Sequence, residues 1–129
     1  KGAEIALQDD IKIYNACGKF NISESADIVK KAKMVISNDT GMLYIACAFK
    51  RPVIALWGGT SPALAVEPYY GSNFMGTQQK PPYENVVLNL WCQPCSKYGL
   101  DKCPLGHFNC MEKINTDELA EKVKRRLYD

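Results

Sequence analysis

The stretch that decides the fold is residues 34–57, which read MVISNDTGMLYIACAFKRPVIALW. Two continuous apolar runs, residues 34–37 and 53–57, have the length of buried strands. Between them, residues 42–49 are apolar throughout and stop shortly before Pro52, which cannot continue a helix. Apolar strands joined by a helix are typical of a parallel sheet that is covered on both faces.

The pattern extends toward the N-terminus. Residues 11–16 place apolar side chains on alternate positions, which predicts another strand. Ser23 can cap a following helix, and Glu24 then lies in its first turn, where the helix dipole favours an acid. Residues 1–60 are therefore predicted to form a βαβαβ core, which is the Rossmann-like α/β class.

The remainder of the chain is predicted to belong to the same partial domain. Residues 61–84 are rich in proline and glycine and predict a long loop. Residues 85–112 hold a strand at 86–90 followed by a cysteine-rich stretch. Residues 113–129 predict a C-terminal helix from Asp117, capped by Thr116, with Leu119, Val123 and Leu127 on one stripe.

The composition excludes several classes of protein. The 129 residues are 47% hydrophobic and 23% charged, which suits one globular domain and not a disordered or fibrous chain. A net charge of +2 gives no basis for a nucleic-acid partner. Residues 42–49, the longest apolar run, are too few to cross a bilayer. Since the sequence opens on Lys1 without a signal-peptide pattern, we expect a processed chain or a piece of a longer one.

Two polar loops follow the central strands. Asp39, Thr40 and Gly41 come after the first, at the start of a helix whose free amides favour an anion such as a diphosphate. The alternative is an ordinary helix cap. Residues 58–61 form a second glycine-hydroxyl loop, which alone would mark only a turn. Because parallel strands end at one edge of the sheet, the two loops together predict a cradle for a nucleotide or phosphosugar.

An ordered set of motifs gives these loops a family context. The motifs are AKMVISNDTG (32–41), IACA (45–48), RPVIALWGGT (51–60), PYYG (68–71), CQPC (92–95) and CPLGHFNCM (103–111). In this order they resemble glycosyltransferase family 9, the lipopolysaccharide heptosyltransferases, which transfer heptose from an ADP-sugar. The resemblance runs from about Tyr14 to the final helix.

The resemblance implies a GT-B architecture, in which two Rossmann-like domains face each other across a cleft. The chain would be most of the C-terminal domain, which binds the nucleotide-sugar donor. The missing N-terminal domain would hold the acceptor and the catalytic carboxylate, so no catalytic residue is expected here and the chain alone should be inactive. The first strand and helix of the donor domain would also be absent.

The resemblance also implies donor-binding residues. Asp39, Thr40 and Gly41 match the family's donor-binding loop, and Phe20 lies where the family places backbone against the adenine ring. The family loop usually continues Pro-Met-His, whereas Tyr44 stands here at the position of the histidine. A tyrosine hydroxyl can donate a hydrogen bond but cannot become a cation near neutral pH. The second loop reads Trp-Gly-Gly-Thr (57–60) where Phe-Gly-Pro-Thr is common.

The function expected from the resemblance is transfer of heptose, or a related sugar, from an ADP-sugar donor to a membrane-associated glycolipid of the lipopolysaccharide type. No cofactor would be required. The enzyme would be cytoplasmic or peripheral on the inner face of the inner membrane. The cations Lys122, Lys124, Arg125 and Arg126 are read as a solvated helix end rather than a lipid-binding patch. The alternatives are a non-catalytic nucleotide-binding module and a zinc-stabilised interaction domain.

The alternative of a zinc-stabilised interaction domain depends on the cysteines. Cys92-x2-Cys95-x7-Cys103-x6-Cys110 could supply a structural zinc site, but the second spacing is wider than that of zinc knuckles. We therefore expect free or disulfide-linked thiols rather than zinc, and a reducing compartment since no secretory signal is present. His107 is expected to hold its loop by backbone hydrogen bonds. Cys17 and Cys47 stand alone in apolar stretches and are expected to be buried.

Overall fold

The computed structural model describes residues 1–9 and 11–128. Three strands, six α-helices and one 3₁₀ turn are found in these residues. In chain order they are α1 (Gly2–Ala6), α2 (Ile22–Lys31), β1 (Val35–Asn38), α3 (Gly41–Ala48), β2 (Val53–Leu56), the 3₁₀ turn (Pro62–Leu64), α4 (Ser72–Met75), β3 (Tyr83–Val86), α5 (Asn109–Glu112) and α6 (Thr116–Tyr128).

The strands form a parallel sheet in the order β1-β2-β3. Val53 of β2 pairs with Val35 on one side and with Tyr83 on the other. Helix α3 connects β1 to β2 and packs on both strands and on α2. The α/β class with a parallel sheet and flanking helices is thus confirmed. No helix in the described residues is long and apolar enough to span a membrane.

The core lies between α3 and β2. Leu43, Ala46 and Cys47 on α3 and Val53, Ala55 and Trp57 in and after β2 are buried almost completely. Tyr70 closes the core: its ring stacks on Phe74 and Tyr83, and its hydroxyl donates to the carbonyl oxygens of Arg51 (2.8 Å) and Pro82 (3.3 Å). Burial raises the pKa of this hydroxyl. Tyr70 therefore ties together the backbones that lead into β2 and β3.

The strand predicted at residues 11–16 is wrong. This segment is irregular, with Ile11 and Tyr14 largely exposed, and no neighbouring strand among the described residues pairs with it. The carboxylate of Asp9 accepts the backbone N–H groups of Ile11 (3.2 Å) and Lys12 (3.0 Å), which holds the chain in a turn. The expected βαβαβ core is therefore α1-α2-β1-α3-β2. Cys17, expected to be buried, is exposed, whereas Cys47 is buried as expected.

Both predicted helix caps are displaced toward the N-terminus. Helix α2 is capped by Asn21 and not by Ser23, through a reciprocal pair in which Asn21 accepts from the Glu24 N–H and Glu24 accepts from the Asn21 N–H. Helix α6 begins at Thr116, and the Asn115 side chain accepts the N–H groups of residues 117 and 118. In each case an asparagine lies within two residues of the predicted cap and makes the bond.

The third strand is also displaced. The expectation was residues 86–90, whereas β3 is Tyr83–Val86. The strand ends here because its partner β2 ends at Leu56, opposite Val86, and because Asn89 has a positive φ of 51°, which is incompatible with a strand. The segment 61–84 is irregular as predicted apart from the 3₁₀ turn, α4 and the start of β3. The other predicted elements, residues 34–37, 42–49 and 53–57, agree within one residue with β1, α3 and β2.

Candidate functional site

The two loops predicted to cradle a ligand meet at the carboxyl ends of β1 and β2. There they line a cavity of about 320 Å³, the strand-end cavity, together with residues of the cysteine segment, which we define as residues 92–111. The first loop contributes Asn38 and Asp39, and the second contributes Gly58, Gly59 and Thr60. The prediction that these loops share one edge of the sheet is confirmed.

The loop after β1 leaves polar groups free at the start of α3. Thr40 occupies the N-cap position but makes no side-chain hydrogen bond to the helix amides. Its hydroxyl lies 3.3 Å from that of Ser37, which donates to the Asn38 carbonyl oxygen at 2.9 Å. A Cβ added at Gly41 would meet no atom within 4 Å, so space is open beside the first turn. The loop can therefore present amides and a hydroxyl to a ligand.

Tyr44, in the first turns of α3, faces a different part of the structure. Its hydroxyl donates to the Val66 carbonyl oxygen at 2.8 Å and lies 3.4 Å from an Asp39 carboxylate oxygen. Burial and the charge of Asp39 raise the pKa of the hydroxyl. The tyrosine thus connects the β1 loop to the segment that follows the 3₁₀ turn.

The loop after β2 is held to the cysteine segment by hydrogen bonds. The side-chain amide of Gln93 donates to the carbonyl oxygens of Trp57 (3.2 Å) and Gly58 (2.7 Å). The Gly59 carbonyl oxygen accepts the N–H groups of Cys95 (2.9 Å) and Ser96 (3.1 Å). A Cβ on Gly59 would lie 3.2 Å from the Cys95 sulfur, so glycine permits this close packing. The cysteine segment is therefore a fixed wall of the strand-end cavity.

Of the predicted site residues, the strand-end cavity includes Asp39. Thr40, Gly41 and Tyr44 lie beside it on the same loop and helix but not in its lining. Phe20 is 38% exposed and lies against Tyr14, with 6.5 Å between ring centroids, outside the lining. The donor-binding roles of all five residues, Asp39 included, stay predictions. Sequence reasoning missed the far wall, which is formed by Tyr98, Leu100, Lys102, Phe108 and Met111.

The four clustered cysteines line a second cavity of about 320 Å³ together with His107. All four carry free thiols. No three histidine, cysteine, aspartate or glutamate side chains in residues 1–9 and 11–128 are arranged to hold one metal ion. His107 accepts the Asn109 N–H at Nδ1 (3.1 Å), the backbone bond expected of it. The four cysteines therefore line one cavity, and the described residues around it form no preorganised metal site.

Two of these thiols differ in their acid–base chemistry. Backbone N–H groups, that of Phe108 foremost, lower the pKa of Cys103. Burial raises the pKa of Cys110, and the neighbouring sulfurs of Cys95, Cys103 and Cys92 add to the effect. A thiolate is thus favoured at Cys103 and disfavoured at Cys110.

Comparison with known proteins adds a family to this geometry. A sequence profile described as "Glycosyltransferase family 9 (heptosyltransferase)" matches residues 3–102. A lipooligosaccharide heptosyltransferase 2 of Campylobacter jejuni is 26% identical over 127 residues, which is 95% of this chain and 34% of the relative. The enzyme of the same name from Haemophilus influenzae is 42% identical over 65 residues, 47% of this chain and 19% of the relative.

A lipopolysaccharide heptosyltransferase 1 of Salmonella typhimurium is 33% identical over 69 residues, covering 54% of this chain and 21% of the relative. The chain thus spans about a third of the length of the Campylobacter relative and less of the other two. No solved structure matches the chain significantly.

Proposed function

The chain belongs to glycosyltransferase family 9, and from this premise we propose that it forms the donor-binding part of a heptosyltransferase. The protein would move heptose, or a related sugar, from an ADP-sugar to a glycolipid acceptor of the lipopolysaccharide type. The observation that carries the proposal is the strand-end cavity, where two polar loops meet at the carboxyl ends of parallel strands. Nucleotides bind at this edge of open α/β sheets.

The cavity would assist the reaction by electrostatic stabilisation. Glycosyl transfer leaves a nucleoside diphosphate whose negative charge grows as the sugar departs. Free amides at the N-terminus of α3 and the Thr40 hydroxyl are groups that stabilise such a charge. Because these donors are held by the fold before the reaction, they need no reorganisation during it.

Asp39 has a different role in the proposal. A carboxylate repels a diphosphate but accepts hydrogen bonds from hydroxyl groups, and a nucleotide sugar carries hydroxyls on both its ribose and its sugar. We therefore assign Asp39 to a hydroxyl of the donor, and Thr40 and Gly41 to the diphosphate. Tyr44 and Phe20 are proposed as supporting donor contacts on the resemblance alone.

The acceptor site and the catalytic carboxylate would lie outside this chain. In a GT-B arrangement a second domain would bind the acceptor and supply the carboxylate that activates its hydroxyl group. The acceptor would be membrane-borne. The enzyme would work in the cytoplasm, at the inner face of the inner membrane. The strand-end cavity would then form one side of the cleft between the domains.

Calorimetry of the intact protein with ADP-heptose tests the proposal. The wild type should bind, and Asp39→Ala should weaken binding by about ten- to a hundredfold, since hydrogen bonds to charged groups contribute ~1.5–3 kcal/mol. Asp27→Ala removes an exposed carboxylate on α2 and serves as the matched control. Equal affinity of the Asp39 variant and the wild type would contradict the assignment of Asp39, and absence of binding by the wild type would contradict the function.

A further inference from the structure

We propose that Lys102, in the cysteine segment, binds the diphosphate of the donor in the strand-end cavity. The inference rests on the proposed function and extends it to a residue outside the two strand-end loops. It also gives the cysteine segment a part in donor binding.

Lys102 belongs to a wall with a fixed position. Besides the bonds to Gly58 and Gly59 at its beginning, the segment is anchored at its end, where Met111 packs on Gly58. A Cβ on Gly58 would lie 3.2 Å from the Met111 sulfur, and the Asn38 amide lies 3.9 Å from the same sulfur. The segment therefore meets both strand-end loops, and the residues between its anchors form the opposite side of the cavity.

Lys102 also balances the charge around the cavity. Among the lining residues that the structure describes, Asp39 is the single carboxylate and Lys102 the single lysine or arginine. A diphosphate entering beside Asp39 alone would meet repulsion, because like charges at short range disfavour binding. Lys102 supplies the opposite charge from the facing wall. The cavity thus offers a carboxylate for hydroxyl groups and an ammonium for the diphosphate.

The Lys102 ammonium is available to bind a ligand. Its side chain is exposed, and no ion-pair partner for it is found in the part of the chain that the structure describes. Lys97, also in the segment, differs: its ammonium lies over the Tyr98 ring, 5.6 Å from the centroid, and it does not line the cavity. The two lysines give a matched pair, one facing the cavity and one directed elsewhere.

The test measures ADP affinity of the intact protein by calorimetry for Lys102→Ala, Lys102→Arg and Lys97→Ala. We expect Lys102→Ala to weaken ADP binding by about tenfold, as for loss of a charge-assisted hydrogen bond. Lys102→Arg should restore most of the affinity, and Lys97→Ala should bind as the wild type does. Raising the ionic strength should reduce the difference between the wild type and Lys102→Ala, because salt screens an exposed ion pair.

The outcomes separate this inference from the proposed function. If the wild type binds ADP and Lys102→Ala binds it equally well, or loses no more than Lys97→Ala, the role of Lys102 is refuted and the proposed function stands. If the wild type does not bind ADP, both are refuted. Both lysines are exposed, so thermal unfolding should show all three variants folded like the wild type.

Discussion

Cys103 and Cys110 line the same cavity yet should react at very different rates. Backbone N–H groups lower the pKa of Cys103, and burial raises that of Cys110. The thiolate is the reactive form, so near neutral pH Cys103 carries more of it. We expect iodoacetamide to modify Cys103 well before Cys110 and to do so at a lower pH than it modifies an ordinary thiol. Timed alkylation followed by peptide mass spectrometry measures both rates.

The unfolded chain is the control for this prediction. In urea both thiols lose their surroundings, so their rates should converge. Equal rates in the native protein would mean that the loop around Cys103 does not stabilise its thiolate.

At the scale of single residues, the sequence identified part of the candidate site. Asp39 could be located because it follows an apolar strand directly and lines the cavity at the end of that strand. Lys102 could not, because it is 63 residues away and its place depends on hydrogen bonds from Gln93 and Cys95 to the β2 loop. The Tyr44 hydroxyl likewise bonds to Val66, 22 residues on, a contact that no local pattern encodes.

Among the elements, α6 is attached to the sheet through Glu84 of β3. Lys122 and Arg126 of this helix bond to the Glu84 carboxylate, and Arg125 lies 3.6 Å from it. Burial acts to raise the pKa of Glu84, but the hydrogen bond and charge of Lys122, with both arginines, lower it overall. The carboxylate therefore contributes stability above the ordinary pKa of glutamate, and this contribution is lost as the pH falls through the lowered value.

The prediction for this element is that Glu84→Gln lowers the free energy of unfolding by ~1–2 kcal/mol near neutral pH, less than for a fully buried pair. At a pH below the folded-state pKa, variant and wild type should be nearly equally stable. Urea unfolding at both pH values measures the difference.

Glu121→Gln is the matched control, since the ion pair that Glu121 forms within residues 1–9 and 11–128 is with Lys124 on the same helix, and both side chains are largely exposed. It should leave unfolding unchanged, because exposed ion pairs contribute little. If both variants lost the same stability, the attachment of α6 through Glu84 would be disproved.

The elements also show what periodicity can and cannot predict. The continuous apolar runs of β1, α3 and β2 were located within one residue because polar, glycine or proline residues bound each run and mark its ends. The alternation at residues 11–16 failed because a strand needs a neighbour, and Asp9 offers the backbone a turn instead. The bounds of β3 are set by its pairing with β2. The sequence of β3 by itself does not encode this pairing.

At the scale of the whole molecule, the two edges of the sheet differ. Beside β3, the Arg126 guanidinium donates to the carbonyl oxygens of Tyr83 (2.7 Å) and Pro81 (3.4 Å). No strand in residues 1–9 or 11–128 pairs with the other side of β1, where Ile36 is 47% exposed. Unpaired edges promote association between chains. We expect the 129-residue chain to associate as its concentration rises, and Ile36→Lys to reduce this in sedimentation velocity.

Ile28→Lys provides the comparison, because Ile28 is equally exposed, at 47%, but lies on α2. It should leave the sedimentation profile unchanged. A wild-type chain that stays monomeric at every concentration would contradict the prediction, as would equal effects of the two variants.

The two tryptophans occupy opposite environments, and this gives the molecule two separate optical signals. Trp57, directly after β2, is completely buried and donates its indole N–H to the Asn85 side chain at 2.9 Å, whereas Trp91, directly before the cysteine segment, is 87% exposed. The emission of Trp57 should therefore be blue-shifted and protected from aqueous quenchers, and that of Trp91 red-shifted and easily quenched. Fluorescence can thus follow the sheet and the second cavity, which Trp91 lines with the four clustered cysteines, separately and without an added label.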